Sequence, residues 1–300
     1  MPAPAASISP GDSERRVVVG ILALQGAFVE HKTALEKLPG SRKLEVIFVK
    51  TPDELARCDA LIIPGGESTT IALLARISGV LDPLRAFIKH KPVWGTCAGA
   101  ILLSHSVENA KKGGQDLLGG ISITIARNGW GSQVESFEAA LDVPGLRNPE
   151  DPFTGVFIRA PVVLKLTPGP SDPPIEVIAK LSPHLLPSSL SSNANANLNA
   201  DADTNPNHNP NPNPNPSPDT TKDDPKTYVA LRQGLHFLTT FHPELTSDNR
   251  FHEYFVRECV LGGAGASASA SASASASASA SASSTTATST STSTSTATAT

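Results

Sequence analysis

Val17 to Leu24, V-V-V-G-I-L-A-L, is a continuous apolar run with no polar residue on alternate positions. A strand with one face in water alternates, so a run like this marks a strand buried on both faces, the signature of a parallel sheet. Leu44–Val49 reads as a second strand, Ala60–Ile63 as a third, and Val93-Trp94 as a further one. Helical stretches separate them. Phe28 to Leu38 can place Phe28, Leu35 and Leu38 on one face, and Pro39-Gly40 ends it. Pro52 to Arg57 makes a turn or more of helix, Ser68 is placed to cap a helix through Ile71, Leu74 and Ala75, and Asp82-Pro83 reads as an N-cap followed by proline at the first helical position. Strands and helices in alternation predict an α/β fold in three layers, with a mostly parallel central sheet flanked by helices. In such sheets ligands bind at the carboxyl ends of the strands, which puts Gln25-Gly26, Gly65-Gly66-Glu67 and Cys97 on one rim.

Composition narrows what can fold. From Ser188 to about Thr221 the chain is Asn, Pro, Ala, Ser and Asp, and from Gly262 to Thr300 it is Ser-Ala and Ser-Thr-Ala repeats. Neither stretch can bury enough apolar surface to offset the entropy of ordering, so both are expected to be disordered. They also dilute the aromatic content to 5%, which therefore does not signal a weak core. The expected organisation is a flexible N-terminus over 1–16, one domain over 17–261 carrying an insert at about 182–226, and a disordered tail over 262–300. After Gly119 the domain turns strand-rich, with runs at Ile121–Ala126, Val134–Phe137, Gly155–Arg159, Val162–Leu166, Ile175–Ala179, Tyr228–Leu231 and Phe237–Phe241, before an amphipathic helix over Phe251–Leu261.

A formal net charge of −4 makes no electrostatic case for nucleic acid or a membrane surface as partner. Cys58, Cys97 and Cys259 are sparse and lack metal-ligand spacing, which suits a reducing compartment and predicts neither disulfide nor metal. The first sixteen residues have no apolar core for a signal peptide, and no run approaches the length of a membrane span. The expected location is cytoplasmic.

Chemistry centres on P-V-W-G-T-C-A-G-A-I-L-L, Pro92 to Leu103, a strand, a tight turn and a buried helix with Cys97 at the bend. Gly95 and Gly99 bracket it, as a sharp strand-to-helix turn requires. A thiol at a helix N-terminus meets unpaired N–H groups and the positive end of the dipole, which favour thiolate and can hold an oxyanion. His242-Pro243-Glu244 closes the Phe237–Phe241 strand. If that segment is extended, both side chains leave one face, and a carboxylate beside an imidazole makes the base a cysteine nucleophile needs. Taken alone, H-P-E reads by default as a turn with a solvated Glu; its place at the end of a buried strand, matched to the cysteine turn at the end of another, is what favours the chemical reading. Pro64-Gly65-Gly66-Glu67-Ser68-Thr69 is either a plain strand-to-helix link or a loop whose backbone N–H groups approach a substrate. Arg127 and Arg159 could bind a carboxylate. His31, His90, His105, His184, His208, His236 and His252 have no partner at a suggestive spacing and receive no role; Cys58 and Cys259 read as packing residues.

With these residues assembled, the chain resembles the class I glutamine amidotransferases, the glutaminases with a Cys-His-Glu triad, and more narrowly the glutaminase subunits of pyridoxal 5′-phosphate synthases. The resemblance rests on L-A-L-Q-G-A at Leu22–Ala27 with Glu30-His31, P-G-G-E-S-T at Pro64–Thr69, G-T-C-A-G at Gly95–Gly99, Arg127-Asn128, Q-V-E-S-F-E at Gln133–Glu138, P-F-T-G-V-F-I-R-A-P at Pro152–Pro161 and F-H-P-E-L-T at Phe241–Thr246. It implies Cys97 as nucleophile, His242 as base and acid, and Glu244 as the residue orienting His242. It further implies glutamine binding by Gly66, Glu67, Ser68, Arg127, Ile158 and Arg159, with an oxyanion hole from Gly65, Gly66 and Ala98. No cofactor is implied. The implied partners are L-glutamine and a separate (β/α)₈-barrel synthase subunit in a hetero-oligomer, to which ammonia passes for vitamin B6 synthesis, the Gln25-Gly26 loop taking part in communication.

Two departures from the family pattern stand out. Gly129-Trp130-Gly131-Ser132-Gln133 replaces an aromatic-Gly-Arg-Gln segment, so Ser132 lacks the family's arginine, and the long insert precedes Tyr228. Two other readings of the same architecture are a γ-glutamyl hydrolase-type peptidase and a non-enzymatic regulatory or scaffold homologue.

Overall fold

The computed structural model describes residues 16–108, 114–127, 129, 136–186 and 224–262. The N-terminal sixteen apart from Arg16, most of the insert, the tail beyond Gly262, and Asn128, Trp130, Ser132 and Gln133 lie outside the described residues.

The predicted apolar runs form the sheet. Strands β1 (Val17–Leu22), β2 (Leu44–Val49), β3 (Ala60–Ile63) and β4 (Val93–Thr96) are joined by parallel pairing, and β4 pairs in parallel with β12 (His236–Thr239). Strands β10 (Ile175–Lys180) and β11 (Tyr228–Gln233) then extend the edge in antiparallel fashion. The seven-stranded order is β10-β11-β12-β4-β3-β1-β2. The insert therefore joins two hydrogen-bonded neighbours at one edge of the sheet, so its length leaves the pairing of every other strand untouched.

Burial on both faces is visible residue by residue. In β3, Ala60 and Ile62 enter one core while Leu61 and Ile63 enter the other; in β4, Trp94 and Val93 divide the same way, as do Phe237 and Leu238 in β12. One face carries α1 (Phe28–Glu36) and α6 (Arg250–Tyr254), which continues as π-helical turns over Phe255–Leu261, together with the hairpin β7 (Ser136–Leu141) and β8 (Phe153–Ile158). The opposite face carries α2 (Pro52–Ala56), α3 (Ser68–Ile77), α4 (Leu81–Phe87) and α5 (Ala98–Leu103), plus a small sheet of β5 (Ser104–Glu108), β6 (Ile121–Ala126) and β9 (Val162–Leu166). Phe153, Phe157, Phe237, Phe241, Phe251 and Phe255 are all fully buried on the α1/α6 side, so the scarce aromatic residues are concentrated where they define one core. Phe157 and Phe241 meet with ring centroids 5.4 Å apart, and Phe153 and Phe251 edge-on at 4.7 Å. Contacts of this kind add about 0.5–1.5 kcal/mol each beyond burial.

Several local expectations need correction. Glu67, not Ser68, caps α3: its carboxylate accepts the Thr70 N–H at 2.7 Å, and a carboxylate satisfies an orphan helix N–H at least as well as a hydroxyl. Helix α4 starts at Leu81 with Val80 as its N-cap, so Asp82-Pro83 lies inside the first turn, where proline's missing N–H costs nothing. Of the strand expected at Val134–Phe137, Val134 and Glu135 lie outside the described residues and the described strand runs over Ser136–Leu141; of the later strand-rich segments, β10, β11 and β12 join the main sheet while β6 to β9, with β5, form two separate small sheets. Strand β5 directly follows α5 and carries too little apolar pattern to be foreseen. Pro243–Leu245 is a 3₁₀ turn rather than extended chain. Among the described residues no helix is long and apolar enough to cross a membrane.

The turn joining β4 to α5 is the tightest junction in the fold. A Cβ on Gly99 would lie 2.0 Å from the Ile63 carbonyl oxygen, and one on Gly95 would lie 2.4 Å from the Gly99 carbonyl oxygen. Both obstacles are buried backbone, one at the end of β3 and the other in the first turn of α5, and neither can yield. Gly99→Ala is therefore expected to destabilise the domain by about 1–3 kcal/mol. Gly169→Ala, where the nearest atom would be 3.6 Å away, is expected to stay within about 0.5 kcal/mol of wild type. Urea or thermal unfolding of the two variants side by side tests this.

Candidate active site

Cys97 sits at φ +46° and ψ −100°, a conformation that L residues rarely adopt. Such strain costs on the order of 1–3 kcal/mol and persists only where the surroundings over-determine it. Here the Cys97 N–H donates to the Thr239 carbonyl of the neighbouring strand at 2.9 Å, and its own carbonyl accepts the Ile101 N–H at 3.2 Å. The two bonds clamp the residue between β12 and α5, with its side chain almost wholly buried at the carboxyl end of the sheet.

His242 reaches the same place from the next strand. Its N–H donates to the Val156 carbonyl at 2.8 Å, anchoring it on β8, while the preceding Phe241 is locked in the aromatic core. Gly65 marks how close the groups lie: a Cβ there would fall 2.4 Å from His242 Cε1 and 3.5 Å from Cys97 Cβ. The Gly65 carbonyl accepts the Ala27 N–H at 3.1 Å, and the Glu67 N–H donates to Gln25 Oε1 at 2.8 Å. The three segments placed on one rim by the strand pattern do meet there.

The Glu244 carboxylate, buried within the 3₁₀ turn, accepts from His242 Nδ1 at 2.8 Å through Oε1. Burial works against a charge on His242, but hydrogen bonding to the Cys97 thiol and to Glu244 outweighs it and raises the imidazolium to about 10. Cys58 and Cys259 behave oppositely: burial pushes their thiols up to about 11 and about 12, which keeps them inert packing groups.

Beside this group runs a polar wall. Arg127 Nη2 donates to Glu67 Oε1 at 2.7 Å and Nη1 to Gln115 Oε1 at 3.2 Å; Ser68 Oγ donates to the same Gln115 oxygen at 3.1 Å. Burial favours the neutral acid at Glu67, yet hydrogen bonds from Thr69, Thr70 and Arg127 hold its carboxyl well below the usual range. Ile158 and Arg159 close the other side. The Ile158 carbonyl lies 4.0 Å from Cys97 Sγ, and Arg159, exposed at φ +43°, ends β8 in a second strained conformation at the rim. Ala98 follows Cys97 at the first position of α5, and Gly66, at φ +158°, lies against the Gln25 side chain.

Gln115 escaped the sequence reading. It lies on a loop with no strand or helix pattern, and only tertiary packing brings it between Ser68 and Arg127. Its Nε2 is out of reach of solvent and has no hydrogen-bond partner among the described residues. His31 and His252, given no role from spacing, also converge on this region: His31 Nδ1 is 2.9 Å from His252 Nε2, and His31 Nε2 is 3.5 Å from Glu244 Oε2. The Glu30-His31 pair that accompanies the L-A-L-Q-G-A match is the one signal in the sequence that points to His31.

Comparison with known proteins agrees with the geometry. The model of the SNO glutamine amidotransferase family matches residues 21–184. The chain is 40% identical over 245 residues to the probable pyridoxal 5′-phosphate synthase subunit PDX2 of Arabidopsis thaliana, covering 80% of this chain and 85% of that one. It is 39% identical to the pyridoxal 5′-phosphate synthase subunit PdxT of Chloroflexus aggregans, covering 80% of this chain and 99% of the relative. A crystal structure of a glutamine amidotransferase superposes with a TM-score of 0.57 at 36% identity, covering 80% of this chain and 97% of that one. With the family model spanning more than half of the sequence and full-length relatives near 40% identity spanning four-fifths of it, the chain belongs to the SNO glutamine amidotransferase family.

Proposed function

We propose that this protein is the glutaminase subunit of a pyridoxal 5′-phosphate synthase, hydrolysing L-glutamine to L-glutamate and ammonia in the cytoplasm. The observation that carries the reading is the convergence of Cys97, His242 and Glu244 at the carboxyl ends of β4 and β12, beside a wall of Glu67, Ser68 and Arg127. A histidine that binds its proton as firmly as His242 takes it from the thiol, so Cys97 Sγ attacks the side-chain amide carbon of glutamine. The oxyanion that forms is met by backbone N–H groups of Ala98 and the Gly65-Gly66 loop. His242 returns the proton to the amide nitrogen, the C–N bond breaks and ammonia leaves a thioester on Cys97. Water then gives a proton to His242 and attacks the thioester; the C–S bond breaks and glutamate departs. Glu244 holds the Nδ1 proton throughout and keeps Nε2 turned to the chemistry.

Gly66, Glu67, Ser68, Arg127, Ile158 and Arg159 bind the amino-acid end of glutamine. Opposite charges on Glu67 and on the two arginines suit its ammonium and carboxylate, and Gln115 Nε2 offers one more donor in the same wall. The names of the PDX2 and PdxT relatives support a synthase subunit as partner. We place that partner, a (β/α)₈ barrel in a hetero-oligomer, at the rim near Gln25 and Gly26, where it receives the ammonia. The domain carrying this activity is 17–261.

Glutamate release by the purified chain, measured with and without a matching synthase subunit, tests the reading. Release is expected to appear or rise with the partner and to fall by at least about 10³-fold in Cys97→Ala. Wild-type release in that variant would overturn the site, and an inactive wild type with its partner demonstrably bound would favour the scaffold reading. Release that does not respond to any synthase subunit and extends to γ-glutamyl peptides would favour the peptidase.

The charge state of His242 gives a second test. By NMR its Cε1–H resonance is expected to titrate with a midpoint near 10, and to move down by a unit or more in Cys97→Ala, which lacks the thiol that helps raise it. Because the folded value lies above the ordinary 6.5, the stability contributed by this proton is complete below pH 6.5 and lost as pH rises through about 10. A midpoint near 6.5 in the wild type would refute the assignment.

A further inference from the structure

Behind Glu244, on the side away from His242, lies a second pair of histidines. His31 on α1 and His252 on α6 are both fully buried, with no solvent path to either ring. Thr96, the residue before Cys97, places Oγ1 at 3.2 Å from His31 Nε2. Glu244 Oε2 is sealed from solvent and accepts no hydrogen bond among the described residues, and His31 Nε2 stands 3.5 Å from it. Trp94 packs edge-on against both rings, with centroids 5.6 Å from His31 and 4.9 Å from His252. The titratable groups facing His31 are thus Glu244, His252 and, beyond Glu244, His242.

Two arrangements of protons are open to these rings, and they differ in what they leave unpaired. If His31 carried its proton on Nδ1, it would donate to His252 Nε2, and its bare Nε2 would turn a lone pair toward the Glu244 carboxylate. His252 would then hold an N–H at Nδ1, an atom without a partner. With the His31 proton on Nε2, that N–H donates to Thr96 Oγ1 with Glu244 Oε2 3.5 Å from the same nitrogen, and Nδ1 accepts from His252 Nε2–H. The atom left over, His252 Nδ1, is then an unprotonated acceptor in an apolar pocket, which is less costly than a stranded donor. Both rings are neutral: burial, then the neighbouring His252 and His242, hold His31 well below 6.5, and burial alone takes His252 down to about 3. A neutral donor steadies the carboxylate without cancelling the charge that His242 needs.

We propose that His31 is a positioning residue for the hydrolytic site, bracing Glu244 through Nε2–H while His252 holds His31 in that tautomer. This rests on the glutaminase reading for its kinetic consequences, though not for its spectroscopic ones. His31→Leu keeps the volume and removes the donor, whereas His31→Gln restores an N–H at the end of a side chain of similar reach. In the complete chain with its synthase partner, His31→Leu is expected to lower kcat tenfold or more with KM for glutamine within twofold. His31→Gln recovers most of the rate.

The midpoint of the His242 Cε1–H titration, which needs no turnover, falls in His31→Leu and returns in His31→Gln. It therefore separates failure of this proposal from failure of the glutaminase reading. A folded His31→Leu with wild-type kcat and midpoint overturns the proposal, as does equal loss in both variants with an unmoved midpoint, the mark of a merely structural role. If His31→Leu does not fold, His252→Phe, which leaves His31 Nδ1 without its donor, is expected to shift kcat and midpoint in the same direction, and a folded His252→Phe with wild-type values overturns the proposal equally.

Discussion

The approach of Gly99 to the Ile63 carbonyl is the constraint on which the site depends. Because no side chain intervenes, α5 starts directly against β3, and the chain must turn from strand to helix within one residue. That residue is Cys97, and its positive φ is the cost of the turn. The sheet offsets it: two backbone hydrogen bonds hold Cys97, and every residue of α5 is buried. A looser junction would relieve the backbone and lose the aim of the thiol.

Around this point the same burial produces opposite electrostatic results. His242, next to a thiol and a carboxylate, keeps its proton to about 10. His252, more completely enclosed and without an anion beside it, gives its proton up until about 3. Desolvation penalises charge in both; only the presence of a counter-charge within hydrogen-bonding range decides which way the balance falls. Glu244 stands between the two regimes, bonded to the charged histidine through one oxygen and facing the neutral pair through the other. The site is thus a charged front supported by an uncharged back.

Much of the α/β core was legible because its signals are local. A strand buried on both faces must be apolar at nearly every position, and β1 and β3 show this directly; likewise only small residues fit beside a turn as sharp as that at Cys97. Errors arose where neighbouring chemistries compete. Glu67 displaced Ser68 as the cap of α3 because a carboxylate already held by Arg127 lies in reach of the Thr70 N–H. The H-P-E segment curls into a 3₁₀ turn, and it is the turn, not an extended chain, that brings Glu244 onto His242 Nδ1.

The sequence by itself determined the parallel sheet, the rim on which Gln25, Gly65 and Cys97 meet, and the residue types able to perform acyl transfer there, since each follows from burial, backbone freedom or intrinsic reactivity within a short window. Only the tertiary structure decided that Gln115 stands between Ser68 and Arg127, and that His31 and His252, 221 positions apart, share a hydrogen bond behind Glu244. Spacing along a chain carries no information about which buried polar atoms are left to one another once the helices close over the sheet. That pairing is set by the cost of an unsatisfied donor in the finished core.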